Sequence, residues 1–193
     1  MNRVSCLSLP LALAALAGCA SSPSAVAPAT PAAAPVLAEV GTVARAEAAL
    51  APASASIVSG RLVLTAEPGG VRISGTLGGL RPLQPAAFHV HERGDCSAMD
   101  ASSAGGHFNP LGQAHGRSGA GAHHLGDMDN LQADARGRSV VDVLLPGVVL
   151  GGGAGNDVLG RAIVVHGQAD DYHSQPAGNA GARVACGVVR TLR

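Results

Sequence analysis

The strongest constraint on this 193-residue sequence is a pair of histidines, His89 and His91, separated by one apolar residue. Because successive side chains on a β-strand point to opposite faces, both imidazoles would project from one face of a strand and could bind one metal ion. On a helix they would point in different directions. Further candidate ligands follow in the same stretch: His107, His115, His123, His124 and Asp127. The pattern predicts two metal sites supported by β-strands.

The composition argues against a nucleic-acid partner. Aromatic residues make up 2% of the chain and there is no Trp, so there is no aromatic platform on which bases could stack. The formal net charge is +0, whereas a nucleic-acid-binding surface needs an excess of cations to neutralise phosphates. We therefore expect no binding of nucleic acid.

Residues 1–18 are typical of a secretory signal peptide, because a positive charge at Arg3 precedes an apolar run over residues 7–17. A first core helix is the alternative, but it would contain Pro10 and would lack a polar face. The sequence Leu16-Ala17-Gly18-Cys19 resembles a bacterial lipobox, although an ordinary cleavage site is the alternative here. We expect a lipoprotein-type signal peptide, a lipid anchor at Cys19 that binds a membrane, and a location in the periplasm or cell envelope.

Residues 19–54 are rich in Ala, Pro and Ser. Such a composition buries too little apolar area to offset the loss of conformational entropy on folding, so it predicts a disordered tether. Residues 40–50 could form a transient helix, but no apolar stripe would hold it against a partner. The folded domain is predicted to cover residues 55–193.

Short strand-like segments separated by Gly-rich turns run through this domain, and no segment has a convincing helical pattern. Residues 61–66 and 71–77 flank Glu67-Pro68-Gly69-Gly70 and predict a hairpin, and residues 131–133 and 139–145 predict a second one. Further strands are expected at the His89 segment, at 161–166 and at 183–190. The fold class is all-β, an antiparallel sandwich or barrel.

Two loops are too long for ordinary connections in a compact β domain: residues 93–129, here called the first long loop, and residues 167–182, the second long loop. Loops of this length are usually functional or disordered. Metal ligands would organise the first long loop, and His166 stands where the second begins. We therefore expect both loops to be functional.

Of the four cysteines, Cys6 lies in the signal peptide and Cys19 at its boundary, so Cys96 and Cys186 remain in the folded domain. A signal peptide sends the chain to an oxidising compartment, where a disulfide is favoured over two free thiols. We therefore expect a Cys96–Cys186 disulfide.

Several motifs occur together in a characteristic order over residues 55–193. They are His89-Val90-His91, Gly105-Gly106-His107-Phe108-Asn109-Pro110, His124-Leu125-Gly126-Asp127, Val164-Val165-His166 and the run from Gly178 to Val188. Together they resemble the copper/zinc superoxide dismutases. The resemblance implies a Greek-key β-sandwich or barrel with copper and zinc as cofactors, and it is compatible with a homodimer.

The resemblance implies two ligand sets that share His107. The copper ligands would be His89, His91, His107 and His166, and the zinc ligands would be His107, His115, His124 and Asp127. Four imidazole nitrogens suit Cu(II), and three histidines with one carboxylate suit tetrahedral Zn(II). His123 is an alternative to its neighbour His124.

The resemblance also gives roles to Asp170 and Arg183. Asp170 would hold the imidazoles of His89 and His115, and Arg183 would bind the anionic substrate beside copper. The implied activity is dismutation of superoxide to dioxygen and hydrogen peroxide. A catalytically silent periplasmic copper- or zinc-binding protein, or a copper-delivery protein, is the alternative. Arg183 argues against it, because a metal store needs no cation beside the copper.

Overall fold

The computed structural model describes residues 33–192, which form nine β-strands, one short 3-10 helix (Ser102–Ala104) and no α-helix. The strands are β1 (Arg45–Pro52), β2 (Ser59–Glu67), β3 (Gly70–Gly78), β4 (Pro85–Ala86), β5 (Phe88–His91), β6 (Leu131–Gln132), β7 (Ser139–Pro146), β8 (Ala162–His166) and β9 (Arg183–Thr191). Within residues 33–192 no helix is long and apolar enough to span a membrane.

Seven strands form one curled antiparallel sheet in the order β5-β8-β9-β1-β2-β3-β7, and β4 pairs with β6 in a second, two-stranded sheet. The neighbours β9–β1, β3–β7 and β5–β8 are far apart in sequence, which gives the sheet its Greek-key connections. The all-β Greek-key prediction is therefore confirmed. The long connections place residues 93–129 and 167–182 between strands, as expected.

Strands β2 and β3 form the first predicted hairpin, with Glu67 opposite Gly70. Gly69, between them, has φ +84°, a left-handed conformation that glycine adopts without steric cost. Leu64 and Ile73, which lie opposite each other in this hairpin, are fully buried on its inner face. Each such side chain stabilises the fold by about 1.5–3 kcal/mol through the removal of apolar surface from water.

The tether prediction is wrong for its final part. Residues Arg45–Pro52 form β1, the central strand of the large sheet, paired with β2 on one side and β9 on the other. Ala46 and Ala48 are fully buried and pack in the main hydrophobic core. The transient helix expected at 40–50 is also wrong, since strand pairing on both sides outweighs the weak helical preference of Ala and Glu.

The folded unit also begins earlier than residue 55, because it includes the chain from residue 33 onwards. Asn156, in the connection between β7 and β8, accepts a hydrogen bond from the Ala38 N–H (2.9 Å) and donates one to the Ala38 carbonyl (2.8 Å). The signal peptide predicted at 1–18, the anchor at Cys19 and the tether up to residue 32 lie outside the described residues, and they stay predictions.

The second predicted hairpin is wrong in its pairing. β6 pairs with β4 through Ala86 and Leu131, whereas β7 pairs with β3 along its whole length. A tight turn does lie between β6 and β7, closed by a hydrogen bond from the Asp134 N–H to the Arg138 carbonyl (2.8 Å).

The Cys96–Cys186 disulfide is present, as predicted. It joins the first long loop to β9 across 90 residues of sequence. In the chain-entropy description, closing a loop of this size stabilises the folded state by about 4 to 5 kcal/mol. The disulfide therefore fixes the first long loop near Arg183, which lies on the same strand as Cys186.

Candidate metal centre

Strand β5 presents two histidines on one face and two core residues on the other. Phe88 and Val90 pack in the main hydrophobic core, so the alternate positions His89 and His91 point away from it. The first long loop runs back along β5. Its backbone pairs with β5 at two isolated positions, His107 opposite His91 and Asp127 opposite His89. The loop thus carries the next ligands to the strand on which the first two lie.

The first cluster consists of four buried histidines whose candidate ligand atoms all lie within 4.8 Å of one another: His89, His91, His107 and His166. The Nδ1 atom of His91 lies 3.0 Å from the Gly105 carbonyl, and the Nδ1 atom of His166 lies 3.4 Å from the Gly181 carbonyl. A carbonyl can only accept, so both Nδ1 atoms carry the proton. The two Nε2 atoms, 3.4 Å apart, are therefore free to bind a metal.

The second cluster shares His107 with the first and adds three more buried residues: His115, His124 and Asp127. Asp127 Oδ1 lies 2.8 Å from His107 Nδ1 and 3.3 Å from His124 Nδ1, and Asp127 Oδ2 lies 3.0 Å from His115 Nδ1. Three imidazoles and one carboxylate form the donor set of a tetrahedral zinc site.

Unpartnered buried nitrogens show that these residues fit metal ions. The affected atoms are His89 Nδ1, His107 Nε2, His115 Nδ1 and His124 Nδ1. His115 Nδ1 and His124 Nδ1 lie near the Asp127 carboxylate, yet not in hydrogen-bond geometry. A buried nitrogen without a partner costs about 1–3 kcal/mol, and a metal ion between these atoms and the carboxylate would remove that cost.

The charge states also suit metal binding. Burial lowers the pKa of His91 to about 2, of His107 to about 4 and of His166 to about 3. These imidazoles are therefore neutral at pH 7, the form that binds metals. Burial by itself would raise the pKa of Asp127, but hydrogen bonds from His107 Nδ1 and from the backbone N–H groups of His124 and Gly116 outweigh it and hold that pKa well below its usual range. Asp127 is therefore an ionised ligand.

Asp170 belongs to neither cluster, but its carboxylate binds one histidine of each. Its Oδ2 accepts from His89 Nε2 at 2.8 Å, and its Oδ1 accepts from His115 Nε2 at 2.9 Å. Both rings are thereby fixed with an unprotonated Nδ1 directed into the clusters. Gly178 packs against this contact with φ +65°, and an added Cβ would lie 1.8 Å from Asp170 Oδ1. A glycine is therefore required at position 178.

Arg183 begins β9 and lies over the first cluster. Its guanidinium donates to the carbonyls of Ala101 (2.7 Å) and Gly105 (2.6 Å), and the Gly105 carbonyl also accepts from His91. Burial lowers the pKa of Arg183, but a guanidinium stays protonated in proteins. Together with His166, Arg183 lines a surface depression of about 390 Å³. A fixed cation therefore stands at the entrance to the four-histidine cluster.

The structure brings His124, not His123, into the second cluster. His123 is half-buried, and its Nδ1 donates to the His124 carbonyl at 2.7 Å.

Two side-chain amides that no sequence motif marks, Asn130 and Gln175, hold the backbones of site residues. Asn130 accepts from the Asp170 N–H (2.8 Å) and donates to the Asp170 carbonyl (2.9 Å), so it holds the backbone of the residue that connects the clusters. Gln175 forms the same pair of bonds with His115. No local pattern marks either residue, because the partners lie 40 and 60 residues away.

Comparison with known proteins gives a consistent result. The family described as copper/zinc superoxide dismutase (SODC) matches residues 58–189. A Cu-Zn superoxide dismutase of Aquifex aeolicus (strain VF5) is 46% identical over 136 residues, which cover 69% of this chain and 80% of that protein. One from Caulobacter vibrioides is 41% identical over 137 residues, covering 68% and 78%. The crystal structure of a SOD-like protein from Bacillus subtilis superposes with a TM-score of 0.67 at 36% identity, covering 73% and 95%.

Proposed function

This chain belongs to the copper/zinc superoxide dismutase family, and on that premise we propose that it converts superoxide to dioxygen and hydrogen peroxide. We assign copper to the four-histidine cluster, because four imidazole nitrogens suit Cu(II). We assign zinc to the cluster that contains Asp127. His107, the residue common to both, would bridge the two ions.

One observation carries the proposal: a protonated guanidinium is fixed at the entrance to a buried set of four histidines. When bound, copper would supply one-electron oxidation and reduction, and zinc would add no redox chemistry. Arg183 binds the superoxide anion and orients it toward the cluster. Because its guanidinium is held by two carbonyls before substrate arrives, little reorganisation is needed as charge develops.

His107 takes up and returns a proton at Nε2, its buried ring nitrogen without a hydrogen-bond partner. In the first half of the cycle, one superoxide leaves as dioxygen, and His107 Nε2 takes up a proton in place of the metal that it would otherwise bind. In the second half, His107 returns this proton and solvent supplies another, so that the second superoxide leaves as hydrogen peroxide. Two superoxide anions and two protons thus give one dioxygen and one hydrogen peroxide.

A catalytically silent copper or zinc store, or a copper-delivery protein, is the second candidate. The ligand atoms favour the enzyme, because a Cu(I) donor usually offers Met or Cys, whereas both clusters contain only histidine and aspartate. A metal-storage protein would also need no guanidinium at the entrance to the four-histidine cluster.

Metal analysis and a superoxide assay on the same purified protein test the proposal. We expect one copper and one zinc per chain together with rapid superoxide consumption. Removal of the metals with a chelator should abolish the activity, and reconstitution with copper and zinc should restore it. A protein that holds both metals and consumes no superoxide would establish the store instead.

We further propose that the protein is exported and held on a membrane of the cell envelope by an acylated Cys19, where it would protect the envelope from superoxide. Support comes from the apolar run at 7–17, the Leu-Ala-Gly-Cys junction and the Cys96–Cys186 disulfide, a bond that persists in oxidising compartments. One acyl chain binds a membrane only weakly, so stable anchoring would need more than one.

The Cys19→Ala variant is expected to lose the lipid and to leave the membrane fraction or remain uncleaved. Cell fractionation and the intact mass of the mature chain measure both effects. Cys6→Ala is the matched control, because Cys6 lies inside the predicted signal peptide and should leave the mature protein unchanged. Identical mass and membrane association for Cys19→Ala and the wild type would rule out the anchor.

A further inference from the structure

Gln175 is an exposed residue of the second long loop whose amide binds the backbone of a zinc-site histidine. Its Oε1 accepts from the His115 N–H at 2.9 Å, and its Nε2 donates to the His115 carbonyl at 2.9 Å. Two directly opposite residues in an antiparallel sheet exchange the same two hydrogen bonds, one N–H···O bond in each direction. A single side chain thus acts as a strand partner for His115.

His115 depends on this contact because the loop around it has no regular structure. Residues 109–130 contain no helix or strand, so no ladder holds the His115 backbone in place. Its imidazole is buried, with Nε2 on Asp170 and Nδ1 in the second cluster. A shift of the backbone would therefore displace a ligand atom.

The segment that carries Gln175 is itself held in place by hydrogen bonds. Asp171 accepts from the backbone N–H groups of His173 (3.0 Å) and Ser174 (2.8 Å), and Asn179 donates to Asp171 (3.0 Å). Gln175 also lines the depression of about 390 Å³ that contains Arg183. The same amide therefore contacts the zinc-site backbone and forms part of the entrance to the copper site.

We propose that Gln175 is a positioning residue: by holding the His115 backbone against the second long loop, it sets the position of a zinc ligand and links it to the wall of the substrate entrance. This inference rests on the proposed function for the identity of the metals. Asp170 holds the His115 imidazole, whereas Gln175 holds the His115 main chain, so the two contacts are separate constraints on one ligand.

The test compares Gln175→Met with Gln113→Met in the fully metallated protein. Methionine is similar in size to glutamine but offers neither hydrogen bond. Gln113 is a matched control, because it is an exposed glutamine in the same loop as His115 and its side chain makes only a 3.5 Å contact with the Leu111 carbonyl. Zinc release to a chromophoric chelator is measured alongside copper content.

For Gln175→Met we expect zinc release about 10- to 100-fold faster than in the wild type, the range found when a group that orients a metal ligand is removed. Copper content should not change, and Gln113→Met should release zinc at the wild-type rate. With Co(II) in the zinc site, the visible absorption bands should shift in Gln175→Met alone, because they report ligand geometry. A general loss of stability would not shift the bands of the bound ion.

Equal zinc release and equal Co(II) spectra for Gln175→Met and the wild type would overturn the role of Gln175. The proposed function would be unaffected by that result, because the wild type would still contain both metals and consume superoxide. A wild type that contains no zinc would overturn the metal assignment itself, and the inference with it.

Discussion

Replacing His107 by alanine is expected to remove zinc and superoxide consumption together. His107 is the one residue common to both clusters, with Nδ1 2.8 Å from Asp127 Oδ1 and Nε2 buried without a hydrogen-bond partner. Loss of a group that only orients a ligand lowers metal affinity about 10- to 100-fold, so loss of a shared ligand should lower zinc affinity by more than about 100-fold. Metal analysis, the copper absorption spectrum and the superoxide assay should change in the same variant.

His173→Ala is the control for this variant. His173 lies in the second long loop, its side chain is 80% exposed, and it belongs to neither cluster. We expect unchanged metal content and activity. If His107→Ala kept both metals and the wild-type rate, the assignment of a bridging histidine would be wrong.

The second large effect is expected for Arg183→Glu, which should leave both metals bound and slow the reaction with superoxide. At an effective dielectric constant of about 20, a unit charge about 5 Å from the substrate contributes roughly 3 kcal/mol. Removing that charge would lower the rate on the order of 10²-fold, so reversing it should lower the rate by at least about 10²-fold after screening by salt. The loss should be largest at low ionic strength, because counterions screen the field of an accessible charge. Rates measured over a salt series check both expectations.

Two further variants separate the charge of Arg183 from its hydrogen bonds. Arg183→Lys keeps the cation but cannot reproduce the paired bonds to Ala101 and Gly105, so an intermediate rate is expected. Arg136→Glu makes the same change of net charge on an exposed turn and should leave the rate unaltered. Full activity of Arg183→Glu at every salt concentration would contradict the role assigned to Arg183.

Much of the candidate site follows from local sequence. The two-residue spacing of His89 and His91 places both on one face of a strand by geometry alone, and the structure has them on β5. The order of the remaining motifs pointed to the residues that the structure gathers into two clusters. The disulfide followed from counting cysteines and from the compartment that a signal peptide implies.

Tertiary structure decided what local sequence could not. The composition of residues Arg45–Pro52 does not favour a β-strand or a folded segment. They form β1 because β2 and β9 hydrogen-bond to them on both sides. β6 pairs with β4 although β7 follows it directly in sequence. Asn130 and Gln175 hold the backbones of Asp170 and His115 from other loops.

The physical reason is the range of the interactions. Alternation along a strand is set by the chain itself, so a pair such as His89 and His91 can be read from sequence. The hydrogen bonds between an amide and a backbone 60 residues away, or between β1 and the distant strand β9, form only when the chain has folded. The candidate ligands, their partner Asp170 and the all-β fold class could be predicted from the sequence, whereas the contacts of Asn130 and Gln175 with the backbones of Asp170 and His115 are visible only in the folded chain.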